Sequence, residues 1–403
     1  MRNSMLSPSR AKAAVRPPLD PGFESAELYA RTFGARVESS GGGRPVVIAV
    51  EREEECVSRV AFHVAGEDGP LREETLRFME RVVKFMLWSC GGWRIYVGGA
   101  DWIGAHIREQ YRIGGPRKFD AELMGKVYER EVEVVVCEAD AVPEAREAAM
   151  AAGGHLEGCR IGFDLGASDY KISSVRDGEP VFTTEIPWHP VVEADPAYHL
   201  AAIEEGLRRA AEHLPRVDAI GGSSAGIYVN DRPMVASLFR AVPEDRFNSE
   251  VRTMFERLRD KWNVPLTVIN DGDVTALAGA MSLERNGMLG IAMGSSEAVG
   301  FLDRNGNITG RLNELAFAPV DFSPAAAVDE WSGDRGVGAL YFSQQAVNKL
   351  APAAGFTFPE DMLLPERLKV VQAKAEEGDA MALKIFESIG IYLGYTLPWY
   401  ARF

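Results

Sequence analysis

The chain has 403 residues, 46% hydrophobic and 26% charged, an ordinary globular balance long enough for two or three domains. Its 59 Asp and Glu outnumber 44 Lys and Arg, and the net charge of −15 argues against nucleic acid as main partner, because phosphate backbones need a basic face. The 4 cysteines, Cys56, Cys90, Cys137 and Cys159, form no CxxC pair, and no apolar run reaches the roughly 18 residues of a membrane span; a zinc knuckle, a disulfide framework and a membrane partner are not expected, and a reducing cytoplasm is.

Residues 1–25 lack an apolar signal core and read as a disordered leader. Residues 26–155 read as a small α/β module of unassigned role. In it, "ARVESSGGGRPVVIAVER" suggests a hairpin turning around Ser39 to Gly43, and "VSRVAFHVAG" a further strand. "PLREETLRFMERVVKFMLWSC" places Leu76, Met79, Val83, Met86 and Leu87 at helical spacing. "WRIYVGG" and "REVEVVVCEAD" read as strands; "ADWIGAHIREQY" reads as a helix, as does "PEAREAAMAAGG", ending on Gly153 and Gly154.

From Cys159 the pattern becomes three strands, then helix, strand, helix, strand, helix, and a further strand pair beginning near Met288. That order predicts a mixed α/β sheet followed by a second, similar half, with boundaries at 156–286 and 287–403. Three stretches carry chemistry. "DLGASDYK" ends a strand on Asp164, turns at Gly166 and Ser168, and resumes with Lys171. It is either a hairpin with a surface lysine or a phosphate cradle of backbone N–H groups, a hydroxyl and a cation, with Asp164 holding Mg²⁺ through water. "VINDGDVTAL" ends a strand on Asn270 and Asp271 and starts a helix at once. An acid there lies where open α/β sheets bind ligands and can accept a proton from a hydroxyl; the alternative is helix capping, favoured for Asp273. "MGSSEAVGFLDRNGNI" repeats the strand–corner–strand plan at Gly294, Ser295 and Ser296, as phosphate donors or as a plain hairpin corner.

Taken together, the order of corner, acid and corner resembles the superfamily of sugar kinases, actin and heat-shock chaperone ATPases, and within it the ROK-family kinases, over about residues 159–403. "NDGDVTAL" is similar to that family's Asn-Asp-Ala-Asn-Ala-Ala-Ala-Leu segment, and "MGSSEAVGFLDRNGNITGRLNELAF" to its Gly-Thr-Gly corner and Gly-Glu-x-Gly-His element. "AKAEEGDAMALKIFESIGIYLGYTL" resembles its late helical pair. The resemblance implies ribonuclease-H-like duplicated mixed-sheet domains, the actin-like ATPase fold, preceded here by the extra α/β module. It further implies ATP with Mg²⁺, a sugar or sugar-like hydroxyl substrate, and Asp271 as catalytic base. Asp164, Gly166, Ser168, Lys171 and Gly294 to Ser296 would meet phosphates. Asn270 and Glu314 would meet the sugar, as would Ser223, Ser224 and Gly226, which stand where the family has a loop near it.

The chain also departs from the pattern. The first motif is nearer the longer Asp-x-Gly-Ser-Thr-Thr-Thr-Lys form of other superfamily members. Phe317 stands where the family has a histidine that meets sugar and zinc, and the Cys-rich zinc loop is absent, so no zinc is expected. A hydroxyl-recognition change follows from losing that donor. No strand and Gly-Gly loop for adenosine follow the late helices, so the chain reads as shortened there, or impaired in nucleotide binding, or served by another element in their place. Trp188 and His189 either stack in a cleft or pack a surface loop; Asp329, Glu330, Trp331 and Asp334 stand near the family's sugar side or cap a helix. The rival class is a non-catalytic, kinase-like ligand sensor; a ROK-type repressor is a weaker third reading, and a homodimer stays open.

Overall fold

The computed structural model describes residues 13–151 and 155–403, which fall into two compact units. The first takes the chain up to Ala148 with Ala292–Ala298 and Arg311–Phe403; the second takes Ala149–Ile291 and Val299–Gly310.

The first unit begins with α1 (Ala26–Ser39), β1 (Arg44–Glu51), β2 (Val57–Val64), α2 (Arg72–Ser89), β3 (Arg94–Gly98), α3 (Asp101–Tyr111), α4 (Lys118–Tyr128) and β4 (Glu133–Cys137). Its sheet has the order β2-β1-β3-β4, with β1 antiparallel to both neighbours and β3 parallel to β4. Helix α2 is buried nearly all round from Thr75 to Ser89, so it needs cover on every side. Much of that cover comes from the far end of the chain: Phe85 meets Trp399 at 5.3 Å, Tyr400 at 5.7 Å and Phe403 at 4.5 Å between ring centroids. The N-terminal α/β segment and the C-terminal residues thus share one unit.

Three local expectations are corrected here. The stretch before the glycine run is a helix, not the first arm of a hairpin: Ala26, Ala30, Phe33 and Val37 are buried at helical spacing, and Gly41 and Gly42 at φ 109° and 84° turn the chain out of it. The later part of the stretch read as a disordered leader is held in place from Val15 on, whose N–H donates to the Tyr395 hydroxyl at 3.2 Å. The Asp20 carboxylate accepts bonds from the Tyr392 hydroxyl (2.6 Å) and Lys349 (3.2 Å), and Leu19 N–H donates to Ser388 Oγ at 3.3 Å. Residues 1–12 lie outside the described residues. The helix expected over "PEAREAAMAAGG" is absent from its described part: Arg146 exchanges backbone hydrogen bonds with Val57 (2.7 and 2.9 Å), and strand pairing takes the place of helical bonds. Its expected end, Gly153 and Gly154, lies outside the described residues.

The second unit holds β5 (Met150–Ala151), β6 (Cys159–Leu165), β7 (Asp169–Arg176), β8 (Glu179–Pro187), α5 (Pro196–Ala211), β9 (Ala219–Ser224) and the hairpin β10 (Ile227–Val229) and β11 (Arg232–Val235). Then come the single turn α6 (Glu244–Arg246), α7 (Met254–Trp262), β12 (Leu266–Asn270) and α8 (Asp271–Leu283). The main sheet has the order β12-β9-β6-β7-β8. Strands β6, β7 and β8 form an antiparallel meander, and β9 and β12 continue parallel to β6. This is the ribonuclease-H-like order. Period-2 alternation sets its core: Ile161, Phe163 and Leu165 of β6 and Tyr170 and Ile172 of β7 face Ile203, Leu207, Phe255 and Val268.

The strand pair after α8 is β13 (Met288–Met293) and β14 (Glu297–Leu302), followed by β15 (Asn307–Ile308), in a sheet of order β13-β14-β15-β5. The expected second similar half does not form a second five-stranded sheet among the described residues. Helices α9 (Gln344–Leu350), α10 (Leu364–Glu376) and α11 (Ala380–Tyr400) close the chain in the first unit. Among the described residues no helix is long and apolar enough to cross a membrane.

Candidate active site

Three parallel strands of the second unit end side by side. The register sets Asp164 beside Ser223 and Ser223 beside Ile269; one residue on, Leu165 lies beside Ser224 and Ser224 beside Asn270. The carboxyl edge of the sheet thus gathers Asp164, Ser223, Ser224, Asn270 and the first residue of α8, Asp271, at the place where open α/β sheets receive ligands. In the antiparallel direction Lys171 sits directly opposite Asp164, and Glu185 directly opposite Lys171. Since Leu165 and Tyr170 fill the core, Asp164 and Lys171 share the other face, and both are exposed. Lys171 has no ion pair, and the Asp164 carboxylate accepts no hydrogen bond, among the described residues.

The turn between β6 and β7 is tightly tied. Gly166 N–H donates to Asp169 O at 3.0 Å. A Cβ on Gly166 would lie 2.7 Å from that same oxygen, so no larger residue closes this turn unchanged. Trp188 holds it from below: its indole N–H donates to Gly166 O (2.7 Å) and its backbone N–H to Ser168 O (3.1 Å). Trp188 is 2% exposed and meets Tyr170 edge-on, so it is a core anchor and not a cleft lining. His189 beside it is exposed. The Ser168 hydroxyl donates to Asp169 Oδ2 at 2.8 Å.

Asp271 is placed by its neighbours. The Asn270 side chain accepts from Gly272 N–H (2.6 Å), capping α8, and donates to Gly226 O (2.7 Å). Asn270, not Asp273, is thus the cap. Asp273 is buried with Oδ1 toward Phe301 N–H at 3.4 Å. Gly226 adopts φ 125°, and a Cβ there would lie 2.6 Å from Val235 O. The first turn of α8 lies backbone to backbone on β14: a Cβ on Gly300 would stand 2.2 Å from Gly272 O. Burial pushes the Asp271 carboxyl above its ordinary pKa; the Gly272 N–H opposes this, and the negative Asp164 adds to it. Ser223 is 7% exposed, and Ser224 is fully buried against Tyr228, in the core.

The remaining predicted residues belong to the first unit. The corner at Gly294, Ser295 and Ser296 is exposed and closed by Gly294 N–H to Ser296 O at 3.0 Å, and Gln344 N–H holds Gly294 O at 3.0 Å. Directly after it stands Glu297, which the sequence reading passed over. It is 3% exposed; Oε1 accepts from the Tyr400 hydroxyl at 3.1 Å, and Oε2 has no hydrogen-bond partner among the described residues. Burial pushes its carboxyl up to about 8, the Tyr400 bond opposes, and the charge of half-buried Glu314 adds to the rise. Phe317 packs on Trp88 at 4.5 Å and on Trp331 at 5.3 Å, so an aromatic cluster occupies the position of the expected family's histidine. Among the described residues no group of three or more His, Cys, Asp or Glu could hold a metal ion.

No protein-family model matches the chain. No curated protein matches it. Among solved structures it is similar to a ROK-family transcriptional regulator described as a homologue of the E. coli MLC protein, at 20% identity and TM-score 0.48, over 59% of this chain and 61% of that one. It is also similar to the ROK hexokinase of Thermus thermophilus, at 16% identity and TM-score 0.45, over 59% of this chain and 75% of that one. A third is a ROK-family protein from Streptococcus pneumoniae TIGR4 in complex with sucrose, at 15% identity and TM-score 0.44, over 60% and 75% of the two chains. The chain thus spans less than two thirds of the regulator's length, and these matches among solved structures are ROK-family proteins of both kinds, kinase and regulator.

Proposed function

We propose that the protein is a ROK-type carbohydrate kinase that transfers phosphate from ATP to a hydroxyl of a sugar or sugar-like substrate. The observation that carries this reading is Asp271: an acid at the carboxyl end of a central strand, raised in pKa by burial and by Asp164, fixed by the Asn270 cap and the glycine contact beneath it. A raised carboxylate is a better base toward an alcohol. As the substrate oxygen attacks the terminal phosphorus, its proton passes to the Asp271 carboxylate, and the bond to the ADP oxygen breaks. Lys171 and the backbone of the tied Gly166 turn face the phosphate charge. Asp164 fits Mg²⁺, since its carboxylate is exposed and accepts no other bond, and a bound Mg²⁺ is held by one or two carboxylates plus phosphate oxygens and neutralises charge there. Positioning and charge neutralisation supply most of the rate in such transfers. Four free cysteines fit a reducing cytoplasm.

The test is Asp271→Asn, which keeps the oxygen that faces Gly272 N–H. In a coupled ADP-release assay across a panel of sugars, turnover falls by about 10²–10⁴-fold while the far-UV spectrum is unchanged. Near wild-type turnover would overturn the assignment. A second reading, a non-catalytic ligand sensor, is favoured by the aromatic packing of Phe317, which leaves no donor where the expected family has a histidine. Calorimetry with ATP·Mg²⁺ separates the two, since a sensor of this kind needs no nucleotide affinity.

A further inference from the structure

The first unit carries a cavity of about 260 Å³ lined by none of the phosphate or sugar contacts of the proposed function; Asp334, set by the resemblance near the family's sugar side, is part of its wall. Its walls bring together Arg77, Arg81, Arg117 and Arg335 with Glu80 and Asp334. We propose that this cavity binds a small organic anion through a phosphate or carboxylate group, with Arg77 and Arg335 as the gripping residues.

The floor is electrically closed. Asp334 accepts from Arg81 (2.6 Å), Lys84 (2.9 Å) and Arg117 (2.9 Å), and Glu80 accepts from Arg117. Lys84 is also paired with Asp120 at 3.0 Å. Asp321, another wall residue, is spent as well: its carboxylate takes the Tyr341 hydroxyl at 2.7 Å, Ser323 N–H at 2.8 Å and Glu24 N–H at 3.0 Å. The rim is not closed. Arg77 and Arg335 are exposed, and each donates to a main-chain carbonyl, of Phe322 and Ala326 respectively. Neither has a carboxylate within ion-pair distance among the described residues. A guanidinium carries five N–H donors, so most of theirs are unspent.

Acids to pair with them were not scarce, in a chain with 59 Asp and Glu against 44 Lys and Arg. Two forked cations left open over a rigid ionic floor suit an oxyanion, which arginine binds with two parallel bonds. The closed floor gives the rim a fixed geometry, and the volume, near the lower end of ligand pockets, suits a small metabolite better than a large one.

The experiment titrates the full chain by calorimetry and thermal unfolding with inorganic phosphate, glucose 6-phosphate and succinate, with glucose as neutral control. Arg77→Ala, Arg335→Ala and the double variant are compared with wild type. Both side chains are exposed and lie outside the buried ion cluster, so the variants keep the wild-type unfolding midpoint without ligand. The expected result is that at least one anion binds and raises the midpoint, and that the double variant binds it at least about tenfold more weakly, as loss of charge-assisted bonds implies. Preference for the phosphates or for succinate names the group. Absence of binding by all three anions up to about 10 mM, or equal binding by the double variant, overturns the proposal.

Discussion

The β6–β7 turn rests on a buried tryptophan; the β13–β14 corner runs into a buried acid. Both turns are closed by a glycine N–H bonded at 3.0 Å to the carbonyl at the far side of the turn. In the first, the indole and backbone N–H groups of Trp188 pin two carbonyls of the turn, and the polar side chains Asp164 and Lys171 stand on the exposed face. In the second, the serines are exposed, and the titratable group sits one residue later with one carboxyl oxygen lacking a partner among the described residues. Rigidity in the one comes from an apolar anchor. The other stores its chemistry in a desolvated carboxyl.

The contrast is most easily broken at the anchor. Trp188→Ala is expected to cost about 3–5 kcal/mol of stability, the range for large-to-small changes of buried aromatics. Trp188→Phe keeps the ring but strands Gly166 O, and its expected cost is smaller, about 1–3 kcal/mol. Denaturant unfolding measures both. If Trp188→Ala unfolds like wild type, the turn does not depend on its anchor and the comparison fails.

Glu297 sharpens the other side. Its carboxyl stands at about 8 in the folded chain against an ordinary 4.5, so folding takes up a proton between these values. The sign follows: its contribution is most favourable below about pH 4.5, erodes as pH rises, and levels off above about pH 8. Glu297→Gln removes the titration, so the variant gains on wild type across that window, by an amount on the order of a few kcal/mol. Urea unfolding of both proteins at pH 5, 7 and 8.5 reads the difference. A difference that stays flat with pH would mean that the buried carboxyl does not titrate in this range.

Much of the sheet was legible in the residues. The alternation of Ile161, Phe163 and Leu165 fixed a strand with one buried face, and an acid between an apolar strand and a helical run placed Asp271 correctly at the edge. What escaped depends on distant partners. Nothing around Glu297 marks it for burial; Tyr400, over a hundred residues on, does that. The docking of Leu19 and Asp20 likewise needs Ser388 and Tyr392. Helix α1 was misread for a local reason: its apolar residues have helical spacing, but the glycine run behind them outweighed it as a turn signal. The capping role of Asn270 was not legible, because a short amide can cap a helix or meet a ligand, and the bonds to Gly272 and Gly226 come only with the fold.

The smallest effect tests whether the strand-end acids act as a pair. Asp164 raises the pKa of Asp271 through its negative charge, after burial. Asp164→Asn removes that charge with little change of shape, so Asp271 ionises more readily and the acidic limb of the rate profile moves to lower pH. Turnover itself also falls if Asp164 holds Mg²⁺, which makes the amplitude a poor guide and the position of the limb the useful readout. Glu314→Gln is the matching change beside Glu297: removing that charge lowers the pH at which the erosion of stability levels off and leaves its start near the ordinary carboxyl value. A limb that stays in place in Asp164→Asn would mean that burial alone sets the Asp271 pKa, and that the two acids share an edge of the sheet without sharing a field.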